Sequence, residues 1–324
     1  MNDINLHWAR TDVNLQHVNF GDALSAIIVA GLSNKSIKHI GSRDISYKKL
    51  ASIGTIGHNL RNGVNDIWGT GFDASINPED RNIARYSIPK ETYLNVLATR
   101  GRFSEILLRS KGIDTPCIYG DPGWFAKYLV PEEIKKEYEL GVIVHISELE
   151  THSLESATLE RFKRYVIPDE LKGKIKIINT YAPRSVDGVL DKIREIKSCK
   201  RILSTSLHGL IMAEIFHIPS AWFGFSKTMG IKTPLYLYDD RHPLDHRFRD
   251  FYSGTDSHDY VLTYHSPRQD YCDYDKAMNF LDKEWEPVVF NEIPLFKAFP
   301  YLDIAHPSLM NIELIKSNLK DTIL

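Results

Sequence analysis

The chain of 324 residues holds few cysteines: only Cys117, Cys199 and Cys272. They are odd in number, far apart and form no CxxC pair, which excludes a disulfide framework and a zinc pattern. They read as buried, reduced thiols in a cytoplasmic protein. Long apolar runs are missing too. The longest candidate, residues 26–32, is far short of the roughly 20 residues that cross a bilayer. The N-terminus has no basic stretch followed by an apolar one, so no signal peptide is expected and membrane association is at most peripheral. Excess charge is absent as well. Lys plus Arg number 40 against 42 Asp plus Glu, a net of −2, which excludes a globally basic nucleic-acid binder. GxGxxG, the P-loop, HExxH, GxSxG and aspartate-rich metal motifs are all lacking, so no dinucleotide, ATP or metal site is predicted.

What is there is ordinary globular composition, 43% hydrophobic and 25% charged. Short apolar runs alternate with amphipathic stretches, the pattern of an α/β fold with parallel strands. The length fits two Rossmann-like, doubly wound domains facing a cleft. Strands are predicted over 5–9, 37–40, 50–56, 66–71 and 93–98, and helices over 22–32 and 103–110. Residues 131–137 are polar and charged and read as a connection. The alternation then restarts, with strands over 141–146, 175–179, 201–204 and 221–225. Helices are predicted over 157–165, 186–196 and 209–216. In residues 186–196, Val186, Val189, Leu190, Ile193 and Ile196 form one stripe, and Ser185 is placed to cap the helix. These patterns divide the chain into 1–135, 136–285 and a 286–324 extension. The extension is irregular around its four prolines and then helical over 310–319.

In doubly wound sheets ligands bind beyond the carboxyl ends of the strands, so the residues just after each strand matter most. Ser204-Thr205-Ser206-Leu207-His208-Gly209 joins a strand to an apolar helix. Its hydroxyls can cap that helix, its N-terminus can meet an anion, and Gly209 lets backbone approach a ligand. Asn19-Phe20-Gly21-Asp22 opens another helix, with Asp22 placed as N-cap and Gly21 permitting a tight turn. Thr99-Arg100-Gly101-Arg102 offers two arginines that can grip a carboxylate or phosphate. Gly120-Asp121-Pro122-Gly123 reads as a turn, and His145 ends a strand. Each also has a plain structural reading, as cap, turn or solvated charge. Asp239-Asp240-Arg241-His242, with Asp245 and His246, reads as surface charge rather than a metal site.

Together these segments resemble the polysaccharide pyruvyl transferase family, in the family's order. Asn19-Phe20-Gly21-Asp22 matches N-x-G-D, and Ile53-Gly54-Thr55-Ile56 is similar to the G-S loop. Trp68-Gly69-Thr70-Gly71 is similar to the glycine strand that follows. Arg100-Gly101-Arg102-Phe103-Ser104 opens the R-G-x-x-T/S element, Gly120-Asp121-Pro122 matches G-D-P, and Ser206-Leu207-His208-Gly209 matches R/S-L-H-G. The resemblance implies a fold like the two-domain GT-B glycosyltransferases. It also implies transfer of pyruvyl from phosphoenolpyruvate to two hydroxyls of a saccharide acceptor, lipid-linked or free, with no cofactor. On that reading His208 is the general acid, and Asp22 with Asn19 orients the acceptor hydroxyls. Arg100, Arg102, Ser206, Leu207 and the Gly209 helix start hold the donor in the second domain. Asn19, Gly21, Asp121 and His145 meet the acceptor. Many members carry arginine where this chain has Ser206, and Arg100, Arg102, Arg184 and Lys227 are candidates for the missing charge. Two alternatives stay open: a GT-B glycosyltransferase using a nucleotide sugar, and a non-catalytic saccharide-binding relative.

Overall fold

The computed structural model describes residues 3–45, 47–224, 234–241 and 244–324. Lys227 and His242 lie outside the described residues.

The first half contains β1 (Ile4–His7), β2 (His17–Asn19), α1 (Phe20–Ser33), β3 (Ile37–His39), β4 (Lys49–Ala51), β5 (Gly63–Trp68), β6 (Thr92–Ala98) and α2 (Arg102–Arg109). Five of its strands form a parallel sheet in the order β3-β1-β4-β5-β6. The second half holds β7 (Leu140–Val144), β8 (Ile175–Asn179), β9 (Tyr181–Pro183), α3 (Val186–Lys197), β10 (Ile202–Ser204), α4 (Leu207–Ile215) and β11 (Ser220–Gly224). It continues through β12 (Leu235–Tyr236), α5 (His246–Ser253), β13 (Tyr260–Val261), β14 (Thr263–His265) and α6 (Tyr274–Glu284). Its parallel sheet runs β14-β11-β10-β7-β8. The chain ends with α7 (Ile293–Lys297) and α8 (Ile312–Leu319). Two parallel sheets flanked by helices are the mixed α/β arrangement of Rossmann-like halves.

The halves are stitched together at the start of α1. β2 pairs antiparallel with β9, and the N–H of Phe20 donates to the carbonyl of Thr180 at 3.0 Å. α1 is apolar on nearly every side, as a helix packed on all faces must be, and it lies against both α3 and α8. Gly31 gives room to α8: a Cβ there would stand 2.7 Å from Met310 Sδ. The C-terminal stretch also meets the first sheet, where Trp68 Nε1 donates to the Leu295 carbonyl at 2.9 Å.

α3 and its Ser185 cap follow the stripe read from the sequence, the Ser185 hydroxyl accepting the Gly188 N–H at 2.9 Å. Elsewhere the structure differs. β4 stops at Ala51, because Gly54 at φ +107° takes a conformation no strand allows, and the chain turns into a loop that carries Thr55 and Ile56. The helix predicted over 157–165 is a single short turn, Lys163–Tyr165. Its first part pairs instead with the segment after β7, Leu149 bridging Thr158. Cys199 and Cys272 are buried, but Cys117 is exposed.

Candidate active site

A cavity of about 470 Å³ opens where the carboxyl ends of both sheets converge. That is within the usual size range of small-molecule sites, about 300–1,000 Å³. Asn19 and Asp22 reach it from the start of α1, and Thr55, Ile56 and His58 from the loop after β4. Asp73 and Arg100 follow β5 and β6. From the second half come His145, Ser206, Leu207 and His208, with Asp245, His246 and Arg247 at the start of α5.

The two helix starts are built differently. Asn19, not Asp22, caps α1: its Oδ1 accepts the Gly21 N–H at 3.1 Å. Asp22 is therefore inside the first turn, with its carboxylate free to face the cavity. Burial pushes its pKa up to about 7, with the Arg247 guanidinium pulling the other way. At α4 none of the three hydroxyls caps the helix. Ser206 is the N-cap residue and makes no side-chain cap bond. Ser204 Oγ turns back to the Ser206 backbone, and Thr205 Oγ1 accepts the His145 N–H at 2.8 Å. The first-turn N–H groups of α4 are thus left for a ligand, at the positive end of the helix dipole.

His208 sits in that first turn. Its ring lies against Gly21, where a Cβ would be 2.2 Å from His208 Cγ. So Gly21 is glycine because the imidazole occupies its side-chain space, not because of a tight turn. Buried Nε2 has no hydrogen-bond partner among the described residues, an open position of the kind a ligand fills. Burial, then the charges of Arg100 and Arg247, lower the His208 pKa to about 3. Burial also lowers His58, to about 4, and His145. These three imidazoles are therefore neutral in the free site at pH 7.

Arg100 is fully buried and held by Asp250 of α5. Its Nε donates to Asp250 Oδ2 at 3.1 Å, and Nη2 lies 3.0 Å from the same oxygen. Nη1 donates to Thr55 Oγ1 at 2.7 Å. Asp250 also accepts the N–H and the hydroxyl of Ser104, at 2.9 and 2.7 Å, which caps α2. Arg247 pairs with Asp245 at 2.8 Å.

Several predicted site residues stand elsewhere. Arg102 is exposed and stacks over the Tyr119 ring, 4.7 Å from its centroid. Arg184 spends its guanidinium on the carbonyls of Asp12 and Val13, bracing the β2–β9 region. Asp121 is buried behind Arg100, where burial raises its pKa to about 6, and its Oδ1 accepts the Gly123 N–H. Gly209 faces the sheet: a Cβ would stand 2.3 Å from Ser204 Oγ and 2.9 Å from Ile143. It is small for packing rather than for a ligand. Asp245 and His246, read from sequence as surface charge, line the cavity.

The polysaccharide pyruvyl transferase family profile matches residues 19–226, from the cap of α1 to just beyond β11. The chain belongs to this family. An uncharacterized protein of Acanthamoeba polyphaga mimivirus is 28% identical over 144 residues, 43% of this chain. The matched stretch spans 45% of the viral protein's own length. No solved structure matches the chain. Ser206, where the resemblance led to an expected arginine, lines the cavity. Beside it Arg247 enters the cavity from α5, together with His58 and Asp73, and sequence reasoning assigned a site role to none of the three. The signal for Arg247 was present: Asp245 is an N-cap, accepting the Arg247 N–H at 2.8 Å, before the spaced apolar residues Phe248, Phe251 and Tyr252. No helix among the described residues is long and apolar enough to cross a membrane.

Proposed function

We propose that this protein moves the pyruvyl group of phosphoenolpyruvate onto two hydroxyls of a sugar, forming a cyclic ketal and releasing phosphate. One observation carries the reading: the uncapped α4 N-terminus and the unpartnered His208 ring share a cavity with Arg100, Arg247 and Asp22. A donor with a phosphate and a carboxylate needs such groups. The α4 N–H groups and the two arginines bind its anions. A proton goes to the donor's methylene carbon, and one sugar hydroxyl attacks the resulting cation and loses its proton; the C–O bond to phosphate then breaks, and the second hydroxyl closes the ring, its proton leaving with the phosphate.

The electrostatics exchange the roles expected from sequence. Bringing a proton onto an imidazole of pKa about 3 at pH 7 costs about 5 kcal/mol, at 1.36 kcal/mol per pH unit. Asp22, with a pKa of about 7, already carries a proton half the time at that pH. We assign Asp22 as the acid and neutral His208 as the base for the sugar hydroxyl. Asn19 and His145 border the acceptor's space. We read the two halves as GT-B-like domains, 1–135 and 136–285, with 286–324 returning to the first. The donor is a metabolite of the cytoplasm, which is where we place the reaction.

Calorimetric titration with phosphoenolpyruvate and, separately, with UDP-glucose tests this reading. Micromolar to millimolar binding of phosphoenolpyruvate, lost in a His208→Gln, Arg247→Gln double variant, supports it. Binding of the nucleotide sugar alone would replace it with a glycosyltransferase.

A further inference from the structure

Next to the main cavity is a smaller one of about 190 Å³, and the two share Ala9 and Ile56 as a wall. At about 30 Å³ per water, it holds the volume of roughly six waters, room for a substituent rather than a whole ligand. Three separate segments bring Arg43, Arg61 and Arg81 to its rim. Arg81 donates to Asn59 Oδ1 at 3.1 Å. None of the three has a carboxylate partner among the described residues. Burial and the neighbouring charge of Arg43 hold the Arg61 guanidinium below its ordinary pKa, with Glu79 pulling the other way and Arg81 adding a smaller push. Like charges gathered round a hollow repel one another, and an oxyanion placed among them relieves that repulsion.

We infer that this annex is an anion subsite for a phosphate or diphosphate carried by the acceptor, distinct from the subsite that takes the donor's anions. The placement follows from the geometry. The donor's helix start and Arg247 lie on the α4 and α5 side of the main cavity, where Asp250 of α5 also holds Arg100. The annex opens beyond Ala9 and Ile56, in the first half of the chain. An acceptor whose hydroxyls reach Asp22 and His208 has its far end pointing past that apolar wall towards the arginines. The word acceptor rests on the function proposed above, but the anion subsite does not.

The test uses the full-length protein and inorganic pyrophosphate, titrated calorimetrically with and without saturating phosphoenolpyruvate. Pyrophosphate is expected to bind in both cases. Arg61→Gln and Arg81→Gln should each weaken it tenfold or more while leaving the affinity for phosphoenolpyruvate within twofold. Lys90→Gln, an exposed cation of the same half, should change neither. Arg81 and Lys90 are exposed and Arg61 is half-buried, and melting curves verify that the variants fold. Absence of pyrophosphate binding overturns the subsite, as does unchanged binding in the arginine variants. Displacement of phosphoenolpyruvate by pyrophosphate overturns it too, since the ion would then be in the donor's place. If phosphoenolpyruvate fails to bind while pyrophosphate binds at the arginines, the subsite stands and the proposed function falls. Geranyl diphosphate and glucose 1-phosphate then separate the sources. Tighter binding of the first assigns a lipid diphosphate, and of the second a phosphorylated sugar.

Discussion

Replacing Asp22 by asparagine should turn a steep pH dependence of donor binding into a flat one. The carboxyl titrates near pH 7 in the free protein because burial outweighs the pull of Arg247. Above pH 7 the donor's phosphate is already a dianion, its second pKa being about 6, so its charge no longer changes. A carboxylate about 4 Å from one donor charge is repelled by about 4 kcal/mol at an effective dielectric constant near 20. That is worth about three pH units, which keeps Asp22 protonated in the complex to beyond pH 9. Binding therefore takes up a proton, and the Kd for phosphoenolpyruvate should rise about 50-fold between pH 7 and pH 9. The donor also raises the pKa of His208, but from about 3. The same three units leave its titration below pH 7, outside the window. In Asp22→Asn the Kd should vary less than threefold across that range. Calorimetry in buffers of different ionisation enthalpy measures both the Kd and the proton uptake. A flat wild-type profile, or a slope that survives in the variant, would refute the reasoning. Stability should move the other way. A carboxyl whose pKa is raised on folding contributes fully at low pH and loses that contribution as pH rises through 7. Asp22→Asn should therefore be more stable than wild type at pH 8, by at most about 4 kcal/mol, as read by urea unfolding.

Gly21→Ala should place a methyl group where the His208 ring lies, 2.2 Å away, and displace the imidazole. Turnover should fall at least 100-fold, the lower end of what a positioned acid–base group contributes, with the melting temperature changed by only a few degrees. Asp250→Ala should strand the buried Arg100 charge and cost about 3–5 kcal/mol in urea unfolding. Asp250→Asn should cost less, because it keeps an acceptor for the Ser104 N–H. Arg247→Gln should weaken phosphoenolpyruvate binding tenfold or more at pH 7. It should also move the midpoint of the pH profile upward, since Arg247 holds the Asp22 pKa down.

Local pattern carried much of the fold. The stripe of α3 and its Ser185 cap rest on spacing and on a hydroxyl next to a helix start, and both forces act within a few residues. The segment that enters the cavity at the start of α4 was legible as a strand, hydroxyls, histidine and glycine. What was not legible depends on distant partners. Arg100 reads as a free cation until Asp250, 150 residues on, is seen against it. Gly21 and Gly209 read as turn and ligand glycines, yet their real neighbours are an imidazole from the other half and a serine beneath the helix. The end of β4 turns on one left-handed glycine, whose φ no hydrophobic pattern reveals.

The joint between β2 and β9 has a consequence for how the protein comes into being. Residues 17–19 have no strand partner until residues 181–183 exist, and Phe20 donates to a carbonyl of residue 180. During synthesis, the first half therefore waits for most of the second before its ligand-binding end can form. Arg100 waits longer still, for α5. Contacts so far apart in sequence close slowly. Until they close, a nascent or truncated chain carries a buried arginine without its carboxylate and an unanchored α1. The cavity is thus completed only late in synthesis, and a fragment ending near residue 135 would have the first sheet without the His208 side of the cavity.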